Sequence, residues 1–226
     1  MIKIKPISNF LFITIFTSLL IFSCENKETT NSDEEGVIEF AANAIDEKHP
    51  LFGLAPSSAT LKYKKEKFAL EMSSMGMFNI SIIGDTKTKT VTQTVKFLDI
   101  KQACTENETE IVADNLNFPL KIEETNETKE IIGLKSHKVK VTMVNDPKVT
   151  FDAWYTKELG MPDCNSLNPY AQVKGVLLDY RVKRMGLEMH FLATSRKKVE
   201  IPENTFEIPS SMKLVGKAEM AKVFSN

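Results

Sequence analysis

Apolar and polar residues alternate along most of the chain, which is the pattern of β-strands with one buried face. The first clear case is the stretch on either side of Lys65-Glu66, where turn-forming polar residues interrupt two alternating runs. The pattern predicts a hairpin in which Tyr63 pairs with Phe68 and Leu61 pairs with Leu70.

A second hairpin is predicted around Met185-Gly186, within residues 174–197. With those two residues as the loop, Lys183 faces Glu188 on one side of the hairpin, and apolar pairs form on the other. These apolar pairs are Val182 with Met189, Tyr180 with Phe191 and Leu178 with Ala193. A slip of one residue would place Val182 opposite Glu188, so the pattern itself specifies the register.

Further strands are predicted at residues 37–40, 78–82, 90–97, 121–123, 131–132 and 138–144. Residues 145–148 read as a turn, and the polar residues 104–117 read as a connecting loop. Residues 43–58, broken by two prolines and a glycine, predict a loop or short helix packed against the sheet. Residues 206–209 are expected to cap the sheet, and residues 212–224 to form a short helix.

The predicted fold is mainly β (α+β), with a single large curved antiparallel sheet of about ten strands. A sheet of that size normally curls or closes, so we expect an open, incomplete β-barrel. Because each strand has one apolar face, the concave side must bury something. The candidates are short helices or a loop plug from the chain itself, or a bound ligand.

Composition and charge exclude some function classes. The chain has 226 residues, of which 42% are hydrophobic, as in ordinary globular proteins. Its 29 basic and 30 acidic residues give no excess of positive charge. Nucleic acid is therefore not an expected partner, because phosphate binding requires a basic face.

The first residues have the features of an export signal. Lys3 and Lys5 precede an apolar run at residues 10–22, which is shorter than the roughly 20 residues of a membrane-spanning helix. The run ends in Ile21-Phe22-Ser23-Cys24, which resembles the lipobox of bacterial lipoproteins, although Phe22 is bulkier than the residue common there. The resemblance implies cleavage after residue 23, acylation of Cys24 and attachment to a membrane through this lipid anchor. The alternatives are an ordinary secretory signal or an uncleaved anchor.

Three regions follow from this interpretation: a lipoprotein signal peptide at residues 1–23, a flexible acidic tether at 24–35 and a single β domain at 36–226. Residues 25–35 (ENKETTNSDEE) include no apolar side chain and cannot offset their ordering entropy by burial. Cys104 and Cys164 remain once Cys24 is committed to lipid. In an oxidising compartment they form either one disulfide or two separate buried thiols, and the sequence leaves both alternatives open.

Several short motifs recur in the order used by a known family. They are residues 63–68 (YKKEKF), 82–89 (IIGDTKTK), 131–135 (IIGLK), 154–160 (WYTKELG), 174–178 (KGVLL) and 206–209 (FEIP). The chain resembles an uncharacterised family of bacterial envelope proteins that is similar to the outer-membrane lipoprotein carrier and receptor, LolA and LolB. One departure is Ser136-His137, where family members often carry a cysteine. The resemblance implies an open barrel covered by helices on its concave side, which in the carriers holds acyl chains, and no catalytic residues are carried over.

The predicted function is that of a non-enzymatic, monomeric envelope lipoprotein, anchored in the outer membrane of a Gram-negative bacterium. We expect it to bind a lipid or another hydrophobic ligand, such as an acyl chain, in the concave face. The alternative is a structural or assembly lipoprotein with a filled barrel, acting through protein–protein contacts. The expected ligand-binding residues are Phe68, Leu70, Phe78, Ile80, Leu178, Tyr180, Val182, Met189 and Phe191.

No catalytic, cofactor or metal motif stands out in the sequence. His49, His137 and His190 are scattered, and His190 is expected to be solvated. Met72, Met75 and Met77 lie close enough together to bind copper(I), but no histidine or cysteine accompanies them. We interpret these methionines as flexible apolar lining.

Overall fold

The computed structural model describes residues 34–184 and 186–224. Cys24, the predicted signal peptide and nearly all of the predicted tether lie outside the described residues. Within the described residues the chain is mainly β, with two short α-helices.

The strands are β1 (Glu35–Ala44), β2 (Ser58–Lys64), β3 (Lys67–Ser74), β4 (Phe78–Asp85), β5 (Thr90–Phe97), β6 (Ile100–Glu106), β7 (Leu120–Ile131), β8 (Leu134–Met143), β9 (Asp146–Thr156), β10 (Val176–Arg184), β11 (Leu187–Lys197) and β12 (Lys213–Leu214). The α-helices are α1 (Glu108–Asn115) and α2 (Lys217–Ala221). Short 3-10 helices cover Phe52–Leu54, Glu203–Phe206 and Lys222–Phe224.

All these strands belong to one 12-stranded sheet, in the order β12-β6-β5-β4-β3-β2-β1-β11-β10-β9-β8-β7. Its edges, β12 and β7, do not pair with each other, so the sheet is not closed. It is curved, because Val91 on β5 and Val182 on β10 line the same cavity. Those strands are six positions apart and would be about 29 Å apart in a flat sheet.

Both hairpin registers predicted from the alternation are confirmed. Tyr63 pairs with Phe68 and Leu61 with Leu70 across the β2–β3 turn. In the β10–β11 hairpin the pairs include Val182 with Met189, Tyr180 with Phe191 and Lys183 with Glu188. The register therefore follows from the requirement that the paired apolar side chains, such as Val182 and Met189, share one face.

The predicted loop at residues 104–117 is wrong, because this stretch completes β6 and forms α1. Its helix begins with a capping box: the Asn107 side chain accepts a hydrogen bond from the Glu110 amide at 3.2 Å, and the Glu110 carboxylate accepts one from the Asn107 amide at 2.9 Å. This Asn-x-x-Glu signal is visible in the sequence. The capping signal is hard to recognise in the sequence because the helix that follows is mostly polar and buries only Ile111.

Two further predictions need correction. The short strands expected at 121–123 and 131–132 are one 12-residue strand, β7, which is held by pairing with β8 and carries a register shift between Glu124 and Thr128. Its Glu- and Thr-rich sequence lacks alternation because β7 is an exposed edge. The helix predicted at 212–224 is shorter, because Lys213–Leu214 forms β12, parallel to β6, and the helical part is reduced to α2 and one 3-10 turn.

Two hydrophobic clusters are buried by the sheet. The larger involves β1–β6, β10 and β11, together with buried side chains of α1 and α2. The second, which we call the packed cluster, consists of Phe118, Val139, Val141, Phe151, Ala153, Tyr155, Tyr170, Val173 and Leu177. Tyr180 packs against both clusters, so they are continuous across β10.

Candidate functional site

A cavity of about 230 Å³ lies against the concave face of β2–β5, β10 and β11. We call it the apolar cavity. Its walls include all but one of the residues that the sequence predicts to bind a ligand: Phe68, Leu70, Phe78, Ile80, Tyr180, Val182, Met189 and Phe191. Alternation places these side chains on one face of their strands, and the curvature of the sheet brings them around one space.

Leu178 is the exception among the predicted residues. It is fully buried in the larger cluster, and Leu177 contributes to the cavity wall instead. The pairing of β10 with β9 shifts register between Leu177 and Asp179. Such an irregularity breaks strict alternation, which is why counting by twos from Tyr180 selects the wrong leucine.

Two connections between strands cover part of the cavity, and Val223 of the C-terminal 3-10 helix also lines it. Leu51, Leu54 and Pro56 come from the connection between β1 and β2, which was expected to pack against the sheet. The other segment is the long connection between β9 and β10, which we call the covering loop and which comprises residues 157–175. It contributes Met161, Cys164, Asn165, Leu167, Asn168 and Tyr170 to the wall.

The covering loop is the part of the site that strand and helix patterns in the sequence do not predict. Its buried residues, Leu159, Met161, Leu167, Tyr170 and Val173, have neither strand nor helix periodicity. A signal was nevertheless present, since a loop of this length without regular structure is uncommon and is usually functional. Several large apolar residues within one long loop point to a segment that packs against the sheet.

Hydrogen bonds within the covering loop fix its shape. The Asn165 side-chain amide donates to the carbonyl of Val173 at 3.0 Å and to that of Gly175 at 2.6 Å. The Asn168 side-chain amide donates to the Asn165 side-chain oxygen at 3.1 Å, and the Tyr170 amide donates to that of Asn168 at 2.8 Å. The hydrogen bonds of both asparagine side chains are therefore made to partners within the covering loop.

Aromatic rings form one end of the apolar cavity. Tyr180 and Phe191 stack with centroids 5.3 Å apart, and the Phe40 ring meets both edge-on at 6.2 and 6.4 Å. At another part of the wall the Phe78 and Phe97 rings meet edge-on at 5.5 Å. Edge-to-face and offset arrangements of this kind are favourable for aromatic rings, so they give the wall a defined shape.

No charged side chain lines the apolar cavity in the described part of the chain. Burial raises the pKa of Tyr170 far above its ordinary value, and its hydroxyl donates a 2.6 Å hydrogen bond to the Arg181 carbonyl. Burial also raises the pKa of the Cys164 thiol to about 12, and this thiol donates to the Gly175 carbonyl at 3.2 Å. The cavity wall is therefore neutral at physiological pH.

Cys104 and Cys164 are both free thiols in the structure. Cys104 is buried on β6, and burial, followed by the charge of Glu106, raises the pKa of its thiol. This arrangement corresponds to the second of the two alternatives left open by the sequence.

Two other sequence interpretations change. His190 is not simply solvated, because its Nε2 lies 2.7 Å from the Asp179 carboxylate. Among the three clustered methionines only Met72 lines the cavity, whereas Met75 and Met77 are exposed at the β3–β4 turn.

Within residues 34–224, excluding Met185, no group of three or more His, Cys, Asp or Glu side chains is placed to hold a metal ion. The helices in the same residues include none with the length and apolar character needed to cross a membrane.

Comparisons with known proteins extend only to the fold. No family model matches the chain, and no curated protein matches it. Solved structures do match, and 15 of their chains show significant similarity. One is the structure of PNGF-II in the C2 space group, with a TM-score of 0.51 and 16% sequence identity over 84% of this chain. The chain spans 32% of the length of PNGF-II, so the similarity concerns one part of that protein.

Proposed function

We propose that the protein is a non-enzymatic envelope lipoprotein that holds a lipid or another hydrophobic ligand in the apolar cavity. In this proposal the curved sheet is an open, incomplete barrel, and the segment around Leu51–Pro56 with the covering loop forms its partial plug. The observation that carries the proposal is the neutral, largely aliphatic and aromatic wall of the cavity. Such walls are typical of sites that bury apolar ligands.

The polar groups of the wall support the same choice of ligand. The amides of Asn165 and Asn168 and the Tyr170 hydroxyl are engaged by the protein's own backbone and side chains. A ligand with many buried polar atoms would leave them unpaired, at about 1–3 kcal/mol each. A hydrocarbon chain has no hydrogen bonds to lose on entering the cavity, and its burial is favourable by about 0.8 kcal/mol for each methylene group.

The size of the cavity favours a narrow ligand. Its volume of about 230 Å³ is below the range of about 300–1,000 Å³ that is usual for small-molecule pockets. One acyl chain or a molecule of similar width suits this space better than a wide ring system. Met72 and Met189 on the wall have the flexibility to adapt to a chain of variable length.

A structural or assembly role with a filled barrel is the second candidate. It is favoured by the packed cluster, where side chains of the protein alone fill the space over β8 and β9. In that case the cavity would be a packing defect beside a solid core, and the protein would act through its outer surface.

Ligand binding is tested by native mass spectrometry of the full chain purified from its own host. We expect a mass increment that is lost on organic extraction, with a lipid recovered in the extract. The matched variants are Leu70→Trp, which places a large ring in the cavity, and Glu71→Trp, which places the same ring on the opposite face of β3. Loss of the ligand only in Leu70→Trp supports the proposal. A folded native protein without any hydrophobic ligand would favour the filled-barrel alternative.

The lipid anchor, and with it an outer-membrane location, is a separate part of the proposal. It rests on the lipobox resemblance of residues 21–24. Mass spectrometry of the mature N-terminus should find an acylated Cys24, and Cys24→Ala should accumulate as unprocessed precursor. An unmodified Cys24, or cleavage elsewhere, would refute the anchor without affecting the cavity.

A further inference from the structure

Turns at the two ends of the β3–β6 meander differ in polarity. At one end the β2–β3 turn contains Lys65 and Glu66, and the β4–β5 turn contains Lys87 and Lys89. At the other end the β3–β4 turn is Met75-Gly76-Met77, and the β5–β6 turn is Leu98-Asp99. Large apolar side chains are thus confined to the turns of one end.

These apolar side chains point into solvent. Met75 is 73% exposed, Met77 53% and Leu98 67%, and the adjoining Ile100 is also exposed. We call these four residues the apolar rim. The two turns are neighbours, because Phe78 directly after the first pairs with Phe97 directly before the second.

The backbone adds a second observation. Met75 and Leu98 adopt left-handed φ angles of 49° and 51°, which favour glycine, asparagine or aspartate in ordinary turns. The corresponding residues at the opposite end, Lys65 and Lys89, have φ angles of 52° and 55° but are charged. Ile132 also has a left-handed φ angle, of 49°, but its side chain packs against the core. Among the described residues, only Met75 and Leu98 combine an unfavourable conformation with exposure of a large apolar side chain.

The rim continues into the apolar cavity. Phe78 and Phe97 both line the cavity, and their rings are in contact at its edge. Cavity-lining aromatic residues therefore directly adjoin the exposed turns, since Phe78 follows Met77 and Phe97 precedes Leu98. The connection between β1 and β2 lies at the same end of the sheet, and exposes Phe52 and Leu54 beside its cavity-lining residues.

Positively charged side chains next to the rim favour a partner that carries negative charge. Lys96 and Lys101 are exposed and directly opposed across β5 and β6, one residue inside the turn. Neither side-chain ammonium group forms a hydrogen bond or an ion pair within the described residues, and like charges in direct opposition are destabilising. Asp99 is the one acidic residue of that turn. Apolar tips flanked by unpaired lysines match the layers of a bilayer, with hydrocarbon at the centre and anionic phosphates above it.

We propose that the apolar rim docks the domain onto an anionic lipid bilayer, with Met75, Met77 and Leu98 at the level of the upper acyl chains and Lys96 and Lys101 at the phosphates. This orientation turns the edge of the apolar cavity towards the membrane. The docking surface goes beyond the ligand proposal, since it is formed whether or not the cavity holds a ligand.

The test uses the full chain with single reporter cysteines at Met75→Cys, Leu98→Cys and, at the opposite end, Thr88→Cys. Each variant is labelled with the polarity-sensitive fluorophore NBD and reconstituted in vesicles of phosphatidylethanolamine and phosphatidylglycerol that contain a doxyl-labelled lipid as quencher. The unsubstituted chain, labelled in parallel, gives the background from Cys104 and Cys164. All three sites are exposed, so folding should be retained and is checked by circular dichroism.

We expect a blue shift and loss of most of the emission at positions 75 and 98, with little quenching at position 88. In Lys96→Gln/Lys101→Gln, or in vesicles of phosphatidylcholine alone, quenching at position 75 should fall several-fold. Equal quenching at all three positions would mean that the chain is merely held near the bilayer, and would overturn the proposal. A blue shift without quenching that depends on protein concentration would overturn it in favour of a protein partner.

Discussion

The packed cluster and the apolar cavity are two parts of one apolar surface of the sheet. Side chains of the protein fill the space over the first part and leave a cavity over the second. Over β8 and β9, Phe118, Tyr170 and Val173 reach the sheet from connecting segments and leave each apolar side chain of the cluster buried. Over the cavity, Leu51, Leu54, Pro56 and Val223 approach from outside the sheet, together with six residues of the covering loop. Tyr170 and Leu177 belong to both parts and form the boundary between them.

This difference shows what creates room for a ligand in a curved sheet. The strands of both parts have apolar inner faces, so the strand pattern alone does not distinguish them. The fit of the covering side chains does. Phe118, Tyr170 and Val173 fill the space over β8 and β9, whereas the segments that cover β2–β5 leave a cavity between themselves and the sheet. Variants that change the cover should therefore affect the two parts differently.

The largest difference is expected between Phe118→Ala and Phe97→Ala. Phe118 is 2% exposed within the packed cluster, and its truncation should lower the free energy of unfolding by about 3–5 kcal/mol. Phe97 lines the cavity and is only half-buried, so the same change should cost less than about half as much. Urea denaturation followed by circular dichroism measures both. Equal losses would mean that the cavity wall is packed as tightly as the cluster.

Asn165→Ala tests the shape of the covering loop. It removes the two hydrogen bonds that the side-chain amide donates to the buried carbonyls of Val173 and Gly175, and the one that its oxygen accepts from Asn168. The expected loss is about 3 kcal/mol, from three bonds of about 1 kcal/mol each. The exposed Asn145, at the β8–β9 turn, is the matched control, and Asn145→Ala should change stability by less than about 0.5 kcal/mol. A neutral Asn165→Ala would show that apolar packing alone holds the loop.

Gly84→Ala sharpens the comparison from the cavity side. A β-carbon at this position would collide with the Phe68 ring, which packs directly over the glycine. We expect a loss of about 1–3 kcal/mol from overpacking, as the ring is pushed into the cavity. The double variant Gly84→Ala/Phe68→Leu should recover part of this loss, because it removes the ring. Absence of recovery would place the cause in the backbone of β4 instead.

The sequence predicts the strands of this molecule better than their cover. Period-two alternation determines hairpin registers such as Val182 with Met189, because a one-residue slip would expose a whole apolar face. It fails at β7, where an edge strand needs no buried face, and at Leu178, where a register shift interrupts the count. The capping box of α1 was readable but was outweighed by the polarity of its surroundings.

The same distinction between strands and covering segments applies to the candidate site. Its strand residues, such as Phe68, Phe78 and Met189, are predictable because strand faces follow from local pattern. The residues of the covering loop are not, because their positions depend on long-range hydrogen bonds such as that from Asn165 to Gly175. The exposure of Met75 and Met77 also escapes prediction, since it depends on whether β3 ends before them or includes them.

The smallest effect near neutral pH is expected for the thiols. Cys104 reports on how tightly the larger cluster excludes water, and Cys164 reports on the cavity wall. The pKa of Cys164 is raised to about 12 by burial, and that of Cys104 is raised by burial and nearby carboxylates. Because the thiolate is the reactive form, iodoacetamide at pH 9 should modify both slowly in the folded protein and rapidly in urea. Above the ordinary thiol pKa the unfolded chain loses these protons first, so stability should decline as the pH rises from about 9 towards 12. Failure to alkylate in urea without a reductant would reveal a disulfide and contradict the free thiols, whereas rapid alkylation of the folded protein would show that the cover opens readily.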